Sequence, residues 1–586
     1  MTEYRVRRTR AGTVRAWGWS MAQETTDTMM EMKAAGFRPI PIPLDFPVAW
    51  EHPDEARLFW TRDRMHGPHQ VPPIMEMQAS FVTHGFAYAA EAYALPIRLI
   101  FRTINTYMYS TTKPIVPPEQ MAAQGKKAEE KLGAAMADFN ERWETEYLPE
   151  IKRHLALCER FDLPGATNAE LLDHFDRVRA GTYRLWEIHF LLAIMFTLSP
   201  SLFTDLCADL FEDASTFAAY DFLQGLDNKS LETDRGIRRL SHLARATPVV
   251  RQVLEARAAA DAPGALEGSA EGRAFLAELR AFLDEFGQRG NHFFDFDKPS
   301  WIEDPTPVIR TINDYMSQPD RDPAADLAKN ATERERLVGE ARARLAGYPQ
   351  QVREQFNFLL QAAQDAIRIG EDHNYWIDCR TMYELRRVVL AMADRLVAAR
   401  SIATRDDIFF LTLDEARATL ADPTDRRALV EERKAEMARF AAVRAPHALG
   451  TEPPGPPPDN PMGRANARFW GGPPQESLEP GVLKGNAGSR GVVRGPAKVI
   501  HSMAEAGKLQ PGDILVAETT APPWTPLFAT AAAVVTDTGG ILSHCAVVAR
   551  EYMIPAVVGV GMATAVIQDG QMLEVYGTAG TVRIIG

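Results

Sequence analysis

Apolar positions along the chain change their period once, near residue 480. Between about 51 and 450 they recur at steps of three and four. Leu132, Met136, Phe139, Trp143 and Tyr147 form one stripe, and Ile151 continues it beyond Pro149. That spacing predicts amphipathic helices. Stretches at 250–286, 325–347 and 380–400 are rich in Ala, Leu, Glu and Arg, which are good helix formers. The longest apolar stretch, Phe190 to Leu198, stops at Ser199-Pro200. It is too short to span a bilayer and reads as a buried helix. After about 480, short β-branched runs alternate with glycine turns: Gly491–Gly495, Ala497–Ile500, Asp513–Val516, Ala533–Val535, Ala556–Val558, Met572–Val575 and Thr581–Ile585. Asp569-Gly570 and Gly577–Gly580 are turn signals.

Between these textures lies Thr451–Pro461, with six prolines, followed by Gly471-Gly-Pro-Pro474. Such a run is expected to be neither helix nor central strand but a semi-rigid extended linker. The expected fold is therefore multidomain. Residues 1–50 form an N-terminal extension of unassigned role, ending in the proline-spaced run 39–47, an extended segment or edge strand. Residues 51–450 form a large mainly α-helical domain, 451–480 a Pro/Gly-rich hinge, and 481–586 a compact β-rich domain with a few helices.

Composition narrows the function. The chain has 586 residues, 46% hydrophobic and 24% charged, with a formal net charge of -13. An acidic surface repels phosphate backbones and anionic lipid, so neither nucleic acid nor membrane is an expected partner. Four cysteines, Cys158, Cys207, Cys379 and Cys545, form no CxxC pair, which argues against a disulfide framework or structural zinc. The opening residues carry no apolar signal segment, and the expected location is cytoplasmic.

The chemistry concentrates in 536–555. A strand, Ala533–Val535, runs into Gly539-Gly540 and then a helix expected from about Ile541 to Tyr552. Glycine allows close approach of backbone to ligand, and a helix start favours an anion. His544 lies in the first turns, where it can attack a phosphoryl group while Thr538, Ser543 and the helix end hold its oxygens. Ala546 and Ala549 let the helix lie close to the sheet, and Pro555 stops it. A single histidine more often caps or packs; here the surrounding pattern reverses that weighting.

That pattern, Gly539-Gly540, His544, Ala549-Arg550-Glu551 and Ile554–Gly559, resembles the mobile phosphohistidine domain of the phosphoenolpyruvate-utilising family. The resemblance extends to Gly488–Val499 and Asp569–Arg583. It implies a swivelling β/β/α domain over 481–586 whose histidine, here His544, carries a phosphoryl group. Cys545, directly after the histidine, departs from the family run and is given a packing role. The order of substrate domain, linker and histidine domain resembles the alpha subunit of phenylphosphate synthase and part of rifampin phosphotransferase. Phe59-Trp60 with Asp63–His66 and Pro68, Phe286–Gly290 with Asp295, Trp301 and Glu303–Pro305, and Glu371–Asp378 carry that likeness. Gln288 stands where the family has a histidine, which puts acid–base chemistry there in doubt.

The resemblance implies an ATP-dependent, dikinase-type relay. With no GxxxxGK[ST] loop and only about 50 residues ahead of the helical region, ATP and Mg²⁺ are expected to be used through a separate ATP-grasp subunit, in a hetero-oligomer. With no phosphoenolpyruvate barrel after the histidine domain, that compound is not the expected partner. This chain is expected to bind no nucleotide and no metal itself. A small hydroxyl acceptor, first of all a phenol, whose pKa of about 10 eases deprotonation, would sit in the helical domain. Arg289, then Arg380, are the candidate cations for the loose transition state. His373, then His66 and Asp295, are the candidate bases. Trp301, Asp295, Tyr375 and Trp376 are candidate acceptor contacts. Bland alternatives stand beside each: loop bridging for Arg289, helix capping for His373, solvation for His66, core packing for the aromatics, and surface or capping roles for Glu371-Asp372. An antibiotic or aliphatic alcohol as acceptor, or a phosphocarrier without any acceptor, are the competing functions.

Overall fold

The three-and-four stripe produces long helices that pack into a bundle, and the computed structural model shows what the bundle leaves exposed for chemistry. It describes residues 36–64, 66–67, 69–211, 218–290, 296–317, 323–455, 459–472, 477 and 479–585. The helices that build the site are α1 (Glu76–Ala92), α2 (Met121–Arg142), α3 (Leu148–Glu159), α4 (Asn168–Leu210), α5 (Lys229–Ala246), α6 (Ala270–Phe286), α7 (Thr306–Ser317), α8 (Gln350–His373) and α9 (Arg380–Ala398). The stripe Leu132, Met136, Phe139, Trp143, Tyr147 and Ile151 is buried against α4 and α8 in one core. A π-turn, Trp143–Tyr147, joins α2 to α3 without breaking it, and Pro149 falls in the first turn of α3, where its missing N–H costs nothing.

α4 is the axis of the bundle. It opens on a capping box in which Thr167 accepts from the Glu170 N–H while Glu170 reaches back to Thr167. It does not stop at Pro200, as its sequence suggests, but runs through to Leu210. The surrounding core holds the helix together where Pro200 removes one ladder bond. Among the described residues α4 is also the one helix long and apolar enough to cross a membrane, and 67% of its apolar window is buried inside the protein.

The helical region also contains a sheet that its texture hides. Strands β1 (Arg38–Pro39), β2 (Phe59–Arg62), β3 (Ile97–Ile104), β4 (Tyr107–Pro114) and β5 (Ala448–Glu452) pair antiparallel in the order β1-β5-β2-β4-β3. The β3–β4 hairpin turns on Asn105 and Thr106, both at positive φ (48° and 71°), the geometry of a tight two-residue turn. β1 is one of the two edge strands, and Phe46, in the proline-spaced run, is fully buried beside Trp60 and Tyr109.

The C-terminal domain is one mixed sheet: β6 (Val482–Lys484), β7 (Asn486–Ser489), β8 (Val492–Ile500), β9 (Ile514–Ala517), β10 (Ala533–Thr536), β11 (Ala556–Val558), β12 (Met572–Tyr576) and β13 (Thr581–Ile584), in the order β6-β13-β12-β8-β9-β10-β11-β7. β8, β9, β10 and β11 are parallel, and β9, β10 and β11 are almost wholly apolar and buried, as strands covered on both faces are. The presumed linker is only partly extended. Thr451 and Glu452 belong to β5, in the interior of the first sheet's strand order, and Pro461–Trp470 is a helix, α10, capped by Asn460 with proline at its first position.

Candidate active site

A helix start places His544. α11 (His544–Glu551) begins three residues later than its pattern suggests, with Ser543 as N-cap. Ile541 and Leu542 instead sit in the loop, where the Gly540 and Leu542 N–H groups donate to the carbonyls of Phe469 (2.9 Å) and Arg468 (2.7 Å) at the end of α10. Gly540 is needed for this approach, since a Cβ there would lie 2.2 Å from the Arg468 carbonyl oxygen. Gly539 supplies φ +109° for the turn. Thr538 holds the same loop, donating its hydroxyl to the Glu518 carbonyl at 3.1 Å, so that proton is committed to the backbone. The Ser543 hydroxyl is buried and has no partner among the described residues. Burial pushes the Cys545 thiol up to about 12, which fits a packing role.

His544 is held from the other domain. Its Nδ1 donates to Glu371 Oε1 on α8 at 3.2 Å, with side-chain exposures of 9% and 12%. Its Nε2 lies 3.5 Å from Thr525 Oγ1, but that hydroxyl donates to the Pro522 carbonyl at 2.8 Å. With Nδ1–H committed to a carboxylate, the lone pair of the neutral imidazole lies on Nε2. Ser230, at the start of α5, also donates to Glu371, at 2.6 Å. Burial raises the Glu371 carboxyl, but the His544 imidazole, these hydrogen bonds and Arg289 together hold it below the ordinary value. Glu371 is thus neither a surface group nor merely a cap, and its role was not legible in the sequence. Its neighbour Asp372 accepts from the Lys229 N–H at 2.9 Å, and burial raises it to about 6.

Arg289 is 1% exposed. Its Nη2 reaches the Lys229 carbonyl at 3.3 Å, its guanidinium covers Tyr375 at 5.4 Å, and its Nε has no partner among the described residues. Arg380 is turned elsewhere, to Glu159 at 2.8 Å and over Trp376 at 5.3 Å. Tyr375 and Trp301 are core residues. The Tyr375 hydroxyl donates to the Glu285 carbonyl, and Trp301 holds the Arg289 carbonyl through its N–H. Trp376 is half-buried, with Lys152 over its ring at 4.8 Å. Asp295 lies outside the described residues, as do Phe293 and Phe294.

His373, the last residue of α8, is buried, which drives it down to about 4, and Asp378 only partly offsets this. It belongs to a cluster whose other imidazole, His189 on α4, the sequence did not single out. His66 pairs with Asp63 at 3.0 Å and packs edge-on against Trp470 of α10. Burial lowers it, but Asp63 overrides this and raises it. Beside these groups a small cleft of about 30 Å³, open to solvent, is lined by Gln288, Gly290, Asp378, Cys379, Tyr383 and Arg386, among others.

Several further contacts seat the C-terminal domain on the bundle. Arg64 bridges to Glu518 and, at 3.0 Å, to Asp537. Arg490 pairs with Asp221 at 2.9 Å, and Glu551 accepts from the Gly225 N–H at 3.0 Å. The Tyr315 hydroxyl is shared between Asp234 and the Pro526 carbonyl.

A histidine at a helix start, on a mixed-sheet domain laid over a helical domain whose carboxylate grips that histidine, defines a two-body architecture with an interfacial site. Comparison with known proteins gives it relatives. Residues 189–371 match the rifampicin phosphotransferase fourth domain, and 509–580 match the mobile domain of PEP-utilising enzymes. The chain is 39% identical to chondramide synthase cmdD of Chondromyces crocatus over 93% of its length, covering 14% of that protein. It is 30% identical to the uncharacterised phosphotransferase YvkC of Bacillus subtilis over 72% of its length, covering 50% of that protein. Rifampicin phosphotransferase of Streptomyces sviceus is 32% identical over 52% of this chain, which covers 34% of it. The chain thus spans half or less of each of these relatives. Its residues 509–580 are thus similar to the mobile domain of PEP-utilising enzymes, and the chain is related to rifampicin phosphotransferase.

Proposed function

We propose that this chain is the acceptor-binding and phosphohistidine part of an ATP-dependent phosphotransferase acting on a small hydroxyl compound. The observation that carries the reading is the state of His544. Its Nδ1–H is committed to Glu371, its Nε2 is left as the nucleophile, and it sits at a helix start. In the first step, on a separate ATP-grasp unit with Mg²⁺, Nε2 attacks the β-phosphorus of ATP; the P–O bond to the α-phosphate breaks, AMP leaves, and water releases the γ-phosphate as inorganic phosphate. In the second step the P–N bond breaks and a P–O bond forms to the acceptor, whose proton passes to a base in the helical domain. Splitting the transfer in two lowers each barrier. Glu371 stabilises the charged imidazole, as a carboxylate does behind a catalytic histidine. The loose transition state needs cations and positioning, and Arg289 is a buried cation whose charge acts on Glu371.

The low exposure of His544 in the docked state supports a swinging domain, because a nucleotide needs access that this interface denies. A phenol is the first acceptor class to test. The half-buried Trp376, with Lys152, Lys229 and Arg380 around it, offers an aromatic wall with cations for a phenolate. An enzyme drawing on ATP in this way would work in the cytoplasm, joined to its ATP-binding partner.

The test is incubation with candidate ATP-grasp partners and ATP labelled in the β-phosphate, followed by mapping of acid-labile label. One label on His544, passing to a phenol, is expected. Acceptor phosphorylation by a His544→Ala protein ends the reading.

A further inference from the structure

We infer that His189, His373 and Asp378 form a binding site for one divalent transition-metal ion of the zinc class. The three side chains come from two elements. His189 lies midway along α4, His373 ends α8, and Asp378 lies in the π-turn Asn374–Cys379 that joins α8 to α9. That turn is what creates the cluster. In an α-helix a step of five residues lands about 140° round the axis. The wider i→i+5 winding of a π-turn brings Asp378 back over His373.

The spacing suits a single ion. One ligand atom from each residue can be chosen so that all lie within 4.8 Å of one another. His189 Nδ1 is 2.9 Å and His373 Nε2 3.7 Å from the two oxygens of Asp378. Donors held about 2.0–2.2 Å from a tetrahedral zinc ion lie roughly 3.3 Å apart, so small side-chain rotations complete the set. Orientation gives a second, independent argument. His373 Nδ1 lies 3.1 Å from the Ile369 carbonyl, so that nitrogen carries the proton and donates. The Nε2 lone pair is thereby aimed at a carboxylate oxygen, two acceptors facing each other in a buried place. A cation between them removes the repulsion. A ring N–H given to a backbone carbonyl is also how metal-bound histidines are commonly fixed. Asn374 orients the carboxylate from the other side, donating to Asp378 Oδ2 at 3.0 Å. Phe190 and Phe196 pack on the two imidazoles and supply an apolar shell.

Two imidazoles and one carboxylate leave coordination positions open, as catalytic rather than structural zinc sites do. Asp378 also lines the small cleft described above, so an open position can face it. On the phosphotransfer reading, on which this last step rests, the ligand taken there is the acceptor's hydroxyl. Coordination weakens its O–H bond, and the proton leaves to solvent or to a neighbouring base before the oxygen attacks phosphorus. When the ion takes His189 Nδ1, the proton on that nitrogen leaves it and His189 becomes the Nε2–H tautomer.

The full chain, stripped with a chelator, is titrated with Co²⁺ and with Zn²⁺. Uptake of a single equivalent is expected, with a visible Co²⁺ spectrum of nitrogen–oxygen ligation that Zn²⁺ abolishes. His189→Gln and Asp378→Asn should each weaken uptake about 100-fold, with helicity unchanged by circular dichroism, while His84→Ala, at an exposed histidine on α1, leaves it intact. X-ray absorption of the wild-type Zn²⁺ form, showing two imidazoles, decides the matter even where a variant misfolds. No stoichiometric uptake by the wild type, or undiminished uptake by folded variants, overturns the inference. Metal uptake without labelling of His544 sinks the relay and leaves this site standing; labelling without metal uptake sinks only this site.

Discussion

At the residue scale, Glu371 is the group on which the proposed interfacial transfer turns, and its replacement is the sharpest test there. Glu371→Gln keeps an acceptor for Nδ1–H but removes the charge that stabilises an imidazolium. It should slow discharge of the acid-labile label from His544 to the acceptor by roughly 100-fold, read in single turnover with protein already loaded by the ATP-grasp partner. Unchanged discharge would mean that Glu371 only docks the domain. A second residue sets a pH response unconnected with catalysis. His174 on α4 is 1% exposed, stacks on Phe161 with ring centroids 3.7 Å apart, and has no partner for Nε2 among the described residues. Burial holds it down to about 4. The unfolded chain takes up this proton near pH 6.5, the folded one only near 4, so stability is complete above about 6.5 and falls as the pH drops between the two. At about 1.4 kcal/mol per unit, roughly 2 kcal/mol is lost between pH 7 and pH 5. Urea melts at the two values should show this difference shrinking in His174→Phe. His544 was legible because glycines, a helix and one histidine occur together in a short run. Glu371 and His189 were not, because each meets its partner only through folding, across 173 residues for Glu371 and 189 for His189.

At the scale of elements, the hidden piece is α10. Its prolines read as linker, yet Asn460-Pro461 is also an N-cap followed by a first-turn proline, a helix start whose signal was outweighed by the proline-rich run before it. The hairpin β3–β4 was hidden for the opposite reason. Its β-branched and aromatic residues lie inside a long helical texture, and Asn105-Thr106 lacks the glycine that usually marks such a turn. The π-turn at Asn374–Cys379 leaves no signature in a 3.6-residue period, since it adds one residue to a helix that otherwise continues. α10 makes a specific prediction for the glycine pair. Gly540→Ala places a methyl group on the Arg468 carbonyl and breaks both backbone hydrogen bonds between the loop and α10. At about 1 kcal/mol for each bond, a loss of roughly 2 kcal/mol is expected in denaturant melts. The same change should speed hydrogen exchange at Leu542. Normal stability would show that the loop meets α10 only loosely in solution.

At the scale of the whole molecule, the open question is where the C-terminal domain parts from the bundle. α10 is bound on both sides. Arg464 and Arg468 pair with Asp205 on α4, and Arg468 also donates to the Ser201 carbonyl at 2.8 Å. On its other side α10 holds the glycine loop by the two backbone bonds. Ile541 and Leu542 of that loop are counted into the core of the helical bundle and are 8% and 4% exposed. Ion pairs at this exposure contribute little, whereas a buried leucine contributes about 1.5–3 kcal/mol. Separation therefore works chiefly against apolar burial, and the docked form is the ground state. Trimming that apolar contact should divide the two half-reactions. Leu542→Ala weakens docking by at least 1.4 kcal/mol, a tenfold change in the open population. It should speed loading of His544 wherever undocking limits it, and slow transfer to the acceptor by a similar factor, because transfer needs the docked form. Arg64→Ala, which removes the bridge to Glu518 and Asp537, should act in the same direction but more weakly. Separate measurement of label uptake and label discharge distinguishes this from simple damage, which would slow both. If Leu542→Ala leaves uptake and discharge unaltered, the domain does not travel between stations, and loading must occur at the interface as it stands.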